Sequence, residues 1–507
     1  MSKILLIYPR FSERLRVGLP NLPMSLIYVG SYLSHKGYKV RILDLNNIED
    51  EKDSLKIIRN ELNNVIAVGI SVMSAQVPNA IDVSKYIKSI DPSIPIIWGG
   101  VHPTLYPGQV ARAEFVDFVV RGEGEVTAFE LIKAIEGHGN FEKIKGITFR
   151  SRKTNKIVST DNRELLDLNK LPSIDWNLIK GITPFKSLKE IAELTGLGIP
   201  IQTSRGCPHR CTFCINKVLR TRYRYRKTDL VLKDIENLIS LGINSISFLD
   251  EDFFVFKERV VEILDGIEEK GLKFKWFANV RADYFRPDYI NFEFALRLKK
   301  CGCEMVGIGA ESGSQKILDM LKKDITVEDI RNSARILSKA GIKASYSWII
   351  GLPGEETEDD IQKSLQLIHE IMREDVNCLF NVGIQKYRPY PGSDLYLECL
   401  SEKMNEPSEL EEWVGSPFIQ TRLSSGQFRE YPWINPRIRK NLNNIIFYGS
   451  LLAFRSRYQL LNKIIRKIAS LRFKLVGINF PVENKLYTAL IRRSGLDVHL
   501  KFRPFSD

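Results

Sequence analysis

The sequence predicts an α/β chain: a doubly wound parallel domain, then a second strand–helix series of barrel type, then a basic and mainly helical tail. Three observations carry this. Short apolar strand runs alternate with helical stretches along two separate tracts. No run reaches the ~20 uncharged apolar residues that a membrane-spanning helix requires. Of the net charge of +13, all but one unit falls after position 436, where 15 basic residues meet only 3 acidic ones. A length of 507 residues leaves room for three domains at roughly 150 residues each. The composition, 44% hydrophobic and 27% charged, is that of a globular protein and excludes disordered or collagen-like chains. Seven cysteines are too few for a disulfide framework. The N-terminal MSKILLIYPRF has no small-residue cleavage site, so no signal peptide is expected and the cytoplasm is the expected location.

In the first tract the strand runs are Lys3–Tyr8, Lys39–Leu45, Val65–Val72, Ile94–Trp98 and Phe115–Val120. Helical spacing occupies Met24–His35, Ser54–Asn63, Ala80–Ile90 and Val126–Ile135. Continuous apolar strands separated by helices imply a parallel sheet covered on both faces. With right-handed crossovers this is a flavodoxin/Rossmann-like layout, in which ligands sit beyond the carboxyl ends of the strands. Those ends carry Ser71 and Ser74, then Gly99-Gly100-Val101-His102, then Arg121-Gly-Glu-Gly-Glu125. Paired glycines admit a ligand where a Cβ would obstruct it, though ordinary strand-end turns would look the same. No G-x-G-x-x-G follows the first strand, which argues against a nicotinamide site.

The serine-then-Gly-Gly order resembles cobalamin-binding domains. The resemblance implies that Ser71, Ser74, Gly99, Gly100 and His102 line the slot for the cofactor's nucleotide tail. Many such domains place a cobalt-ligating histidine after the first strand. Here that loop reads Tyr8-Pro-Arg-Phe-Ser-Glu13, so no histidine from it is expected on cobalt.

The sharpest local signal is Cys207-Pro-His-Arg-Cys211-Thr-Phe213-Cys214. Three thiolates in so short a loop can converge on one soft metal centre. A structural zinc would want a fourth ligand, and only His209 is at hand. Around it lie strand runs at Ile199–Thr203, Ser245–Leu249, Lys273–Asn279, Glu304–Ile308, Lys343–Ile350 and Cys378–Gln385. Helices are expected at Asp229–Leu241, Lys257–Lys270, Pro287–Lys300, Val327–Ala340 and Glu358–Arg373. Chemistry in parallel barrels gathers at the C-terminal strand ends.

The cysteine spacing with its aromatic resembles the radical S-adenosylmethionine (radical SAM) enzymes, whose barrel is a partial (β/α)6. The resemblance implies a 4Fe–4S cluster on Cys207, Cys211 and Cys214, with its open iron holding SAM. It assigns Phe213, Glu311, Ser312, Gly351 and Gly354 to SAM contacts. Glu355 reads equally as part of the adenine-side turn or as a helix N-terminal carboxylate. Asp250-Glu251-Asp252 stands where the family usually has Gly-Gly-Glu. Cys301 and Cys303 read as buried small side chains before a strand; Cys378 and Cys399 carry no separate signal.

Both resemblances together match the cobalamin-dependent radical SAM class. They imply cleavage of SAM to a 5′-deoxyadenosyl radical that attacks an unactivated carbon, with C-methylation as the expected outcome. Oxidative cyclisation or rearrangement is the alternative, and a non-catalytic iron–sulfur scaffold the remoter one. Methylthiolation would call for a further cysteine trio, and no cysteine precedes Cys207. No residue stands out as the catalytic acid or base. The implied partners are a small-molecule substrate and a reductant such as flavodoxin or ferredoxin; no nucleic-acid module is present to use the charge. The expected boundaries are 1–140 for the cobalamin domain, 141–195 for a hairpin and connector, 196–395 for the barrel, and 396–507 for the tail. Residues 441–475 mix Leu, Ile and Phe with Arg and Lys. That composition suits a helix packed over the barrel. The alternative is a helix on an anionic membrane surface, where a lipid-like substrate would enter.

Overall fold

The computed structural model describes residues 3–11, 22–48, 50–137, 139–179, 187–219, 222–374, 379–402, 404–414, 416 and 432–434, with isolated positions at 438, 442, 445, 464, 467 and 468. The chain divides into two compact units: Met1–Ile191 with Asn405–Ser425, and Ala192–Met404 with Gly426–Asp507.

In the first unit β1 (Lys3–Tyr8), β2 (Lys39–Asp44), β3 (Val65–Ser71), β4 (Ile96–Gly99) and β5 (Phe118–Val120) run parallel, in the spatial order β2-β1-β3-β4-β5. The hairpin expected within 141–195 is present as β6 (Ile147–Arg150) and β7 (Ile157–Ser159), which extend the sheet antiparallel from β5. Four successive residues of β1, Ile4 to Ile7, are buried, because helices cover both faces. The strand order reverses between β1 and β3, and a crevice at their carboxyl ends is where such sheets take ligands.

The second unit is built on β8 (Ile199–Ile201), β9 (Ser204–Arg205), β10 (Arg224–Tyr225), β11 (Ser245–Phe248), β12 (Lys275–Val280), β13 (Cys303–Glu311), β14 (Lys343–Ile350) and β15 (Leu379–Lys386). Six of these form one parallel sheet, β8-β11-β12-β13-β14-β15, while β9 and β10 pair as a short antiparallel hairpin. This is the open, six-stranded barrel sheet expected from the sequence. Along β14 burial alternates: Ala344, Tyr346, Trp348 and Ile350 turn to the helices, where Tyr346 Oη meets Ser333 Oγ at 2.9 Å. Gly307 and Gly309 of β13 stand in register with Ser345 and Ser347 of β14, on the face away from those helices.

Cys301, Cys303 and Cys399 are buried free thiols, as packing predicts. Cys378 lies outside the described residues, as does most of the 441–475 segment. Among the described residues no helix is long and apolar enough to cross a membrane.

Candidate functional site

In the second unit, the cysteine loop leaves β9 and returns through β10, and its base is fixed by a buried carboxylate. Asp250 accepts from Thr203 N at 2.6 Å, Thr203 Oγ1 at 2.5 Å and Ser204 Oγ at 2.7 Å. Arg259 Nη2 donates to Thr203 Oγ1 at 2.5 Å and neutralises the buried charge. The middle of the loop is held by Asp252. It accepts from Tyr284 Oη at 2.8 Å, and His209 Nε2, between two of the cysteines, lies 3.2 Å from the same hydroxyl. Glu251 accepts from Gly206 N at 3.2 Å, beside Cys207. At the far end Thr212 N donates to Leu321 O at 2.9 Å. The acidic trio after β11 thus shapes the loop at three points.

Cys207, Cys211 and Cys214 are free thiols, half-buried, buried and half-buried. Burial pushes Cys207 up to about 11 and raises Cys214 as well, with Cys211 adding to both. Thiols so placed are not activated nucleophiles; a bound metal centre would deprotonate them. Among the described residues no three Cys, His, Asp or Glu side chains converge as a single ion requires. For zinc that would mean sulfurs about 3.8 Å apart, from Zn–S bonds near 2.3 Å. A four-iron cluster would take its cysteines at separate corners, so three thiols in one loop could serve it without meeting at a point.

Next to the thiols is a pair of buried opposite charges. Glu311 ends β13 at φ 61°, a left-handed value rarely adopted by a non-glycine residue and frequent at functional sites. Its carboxylate lies 3.0 Å from Lys323 Nζ, and that ammonium is 5.8 Å from the centre of the Phe213 ring. Both residues are less than a tenth exposed. Gly309 makes the pair possible: a Cβ there would overlap the carboxylate and stand 2.7 Å from Nζ. Ser312 is tied to the helix Glu358–Glu374 through Ser364 Oγ at 3.2 Å, and Gly313 admits no side chain against Ser364 Cα. The site therefore gathers Phe213, Glu311 and the three cysteines, all read from the sequence. It adds Lys323, which two adjacent lysines, Lys322 and Lys323, gave no means of singling out.

At the turn after β14, Gly351 and Gly354 hold φ of 76° and 85°, which glycine alone adopts without strain. Of the two adjacent carboxylates, Glu355 is largely exposed beside Lys316 at 3.4 Å. Glu356 turns inward, accepting from Gly351 N at 2.7 Å and Leu352 N at 3.0 Å, and burial pushes it up to about 7. Trp433 Nε1 closes the turn by donating to Gly351 O at 3.1 Å. A cavity of about 570 Å³ opens here, between Lys316, Leu352, Thr357 and Trp433.

In the first unit, Gly100 sits at φ 101°, and a Cβ on it would meet Val72 N at 2.9 Å. Gly99 has ordinary room, 3.7 Å to Val120. Ser71 Oγ pairs with Ser25 Oγ at 2.9 Å, and Ser74 Oγ with His102 Nδ1 at 3.2 Å. His102 is fully buried, and burial lowers it to about 3, so its ring is neutral. Arg10 is drawn away toward the helix Glu51–Glu61, reaching Leu45 O at 3.1 Å and Ser54 Oγ at 2.7 Å. Ser71, Ser74, Gly99 and Gly100 do come together at the ends of β3 and β4.

The model of the Radical SAM superfamily matches residues 201–368, and that of the B12 binding domain matches residues 14–132. Each falls on the unit whose geometry fits it, and together they cover more than half of the chain. The chain belongs to the cobalamin-dependent radical SAM family. An uncharacterized methyltransferase of Pyrococcus horikoshii is 29% identical over 412 residues, 80% of this chain and 84% of that protein. The anaerobic magnesium-protoporphyrin IX monomethyl ester cyclase of Rubrivivax gelatinosus is 26% identical, over 78% of this chain and 70% of its own. The radical S-adenosylmethionine methyltransferase TsrM from Kitasatospora setae, solved with cobalamin and a [4Fe-4S] cluster, matches the fold with a TM-score of 0.66 at 17% identity. That alignment covers 92% of this radical SAM chain and 99% of TsrM.

Proposed function

We propose that this radical SAM protein is a cobalamin-dependent C-methylase acting on an unactivated carbon of a small molecule. The observation that carries the reading is the thiol trio beside the buried Glu311–Lys323 pair, in a chain whose first unit matches the B12-binding model. When bound, the cluster and SAM supply the radical, and cobalamin carries the methyl group. Cys207, Cys211 and Cys214 would hold the cluster. Lys323 and Glu311 offer one positive and one negative group for the zwitterionic end of SAM, and Phe213 gives that site an apolar wall. Gly354, at the cavity beside the β14 turn, has ordinary room around it, whereas the Gly351 N–H and carbonyl are already bonded to Glu356 and Trp433. In the first unit Gly100, Ser71 and Ser74 would border the cobalamin tail, with cobalt receiving no histidine from the β1 loop.

The test is anaerobic reconstitution with iron and sulfide, followed by assay for 5′-deoxyadenosine. Wild type is expected to release it and Cys211→Ala to release none; full activity in Cys211→Ala would remove the assignment. With SAM carrying a trideuterated methyl group and small-molecule extracts as substrate, methylation transfers the label to product. Likeness to the cyclase gives the second reading, in which product forms without label. The same proposal includes contact with an anionic membrane surface through the tail, supported by its charge and by Ile464 and Ile468, which are about half exposed on either side of Lys467. A lipid-like substrate would then be delivered from that surface.

A further inference from the structure

Neither family model reaches residues 405–414, yet this stretch is built into the first unit. The chain leaves the second unit after Met404 and rejoins it at Gly426. In between, its backbone and side chains are fastened to the short helices Val101–Leu105 and Pro107–Arg112 that follow β4. Gln109 Nε2 donates to Pro407 O at 2.8 Å, and Arg112 meets Ser408 O and the Glu409 carboxylate at 3.3 Å. Tyr106 Oη donates to Glu406. Leu410 and Trp413 are completely enclosed and belong to the same apolar core as Ile70, Trp98 and Val110. Trp413 Nε1 donates to Gln109 Oε1 at 3.0 Å.

What Trp413 touches gives the contact its meaning. Its ring lies edge-to-face on His102, 4.8 Å between centroids at 83°, and 5.0 Å from Tyr106. His102 is fully buried, and its Nε2 has no hydrogen-bond partner among the described residues. A core position that only needed filling would be cheaper with an apolar side chain, because an unmet buried nitrogen costs free energy. The other edge of the ring is used: Nδ1 meets Ser74 Oγ, and the backbone N–H donates to Val72 O at 3.0 Å. Val72 is the residue on which Gly100 closes.

We propose that Trp413, reaching back from beyond the barrel, is a positioning residue for the cobalamin slot, holding Ser74 and the Gly99-Gly100 turn in place through His102. The inference rests on the reading of the first unit as the cobalamin domain. It makes that domain incomplete without residues that follow the radical SAM domain in the chain.

The full-length protein is titrated with hydroxocobalamin. Trp413→Ala is expected to weaken binding at least tenfold, and Trp413→Phe, which keeps a ring on His102, to restore it to within about threefold. Ile58→Ala, in the same core but on the helix Glu51–Glu61, should lower the melting temperature comparably and leave affinity unchanged. Ser74→Ala should weaken binding alone and add little to Trp413→Ala, since contacts in one relay are not additive. Trp413→Leu carries the same expectation as Trp413→Ala if the latter does not fold. Wild-type affinity in Trp413→Leu or Trp413→Ala, or an equal loss in Ile58→Ala, overturns the relay. Failure of the wild type itself to take up hydroxocobalamin overturns instead the reading of the domain.

Discussion

A lysine enclosed as fully as Lys323 persists only with a counter-charge, and Glu311 at 3.0 Å supplies it. Removing one partner of such a pair leaves the other charge stranded in low dielectric. Lys323→Met is therefore expected to destabilise the protein by about 3–5 kcal/mol. The double variant Glu311→Gln/Lys323→Met should recover part of that loss, because no charge is then orphaned. Chemical denaturation of the three proteins checks this, and a double variant less stable than Lys323→Met would show the pair to be unimportant. Gly309→Ala keeps both charges but intrudes on them. It should weaken SAM binding in equilibrium dialysis while costing only about 1–3 kcal/mol, the usual range for overpacking. The partnership was not legible beforehand. Glu311 and Lys323 are 12 positions apart, and which of two consecutive lysines turns inward depends on the fold around the turn at Leu321–Asp324, not on local composition.

The turn after β14 shows the same limit for an element. Its glycines announced themselves, because Gly-Leu-Pro-Gly can only be a tight turn at a strand end. The choice between Glu355 and Glu356 did not; it follows from two backbone N–H groups, of Gly351 and Leu352, that need an acceptor inside the turn. Strand ends bearing contiguous motifs, such as the cysteine trio or Gly99-Gly100, were readable, whereas Trp413 meets His102 across more than 300 positions. Burial, with Asp360 adding a smaller like-charge push, raises Glu356 to about 7 despite those two hydrogen bonds. A raised carboxyl pKa means that the folded state holds its proton more tightly. The resulting stability is fully present below the unfolded value near 4.5 and is lost as pH climbs to about 7. The span corresponds to roughly 3 kcal/mol. Glu356→Gln, which keeps the acceptor and never ionises, should flatten the stability profile between pH 4.5 and 7. It should also exceed wild type above pH 7. Denaturation midpoints across that range decide it, and parallel profiles for the two proteins would place the pH dependence elsewhere.

For the whole molecule the unresolved balance in the sequence was the tail, where nearly all of the net charge lies beside an apolar pattern. The structure divides it. Ile434, Ile438, Leu442 and Ile445 are buried, and Ile434 and Leu442 approach Gly351 of the β14 turn, so the start of the tail packs on the barrel unit. Ile464 and Ile468 are each helical and stand about half exposed. An apolar pair beside Lys467, in a stretch this basic, is what the proposed contact with an anionic lipid surface rests on. Attraction of about 1 kcal/mol per basic residue near such a surface falls off within a Debye length, about 10 Å at 0.1 M salt. The protein is therefore expected to co-sediment with vesicles rich in anionic lipid at low salt, to release at 1 M salt, and to ignore neutral vesicles. Ile464→Ser/Ile468→Ser should weaken the binding that remains at intermediate salt, while truncation before Trp433 should instead expose the β14 turn and reduce stability. Equal and negligible binding to both kinds of vesicle would leave the whole tail as packing, and the route of a lipid-like substrate through it would fall with the membrane contact.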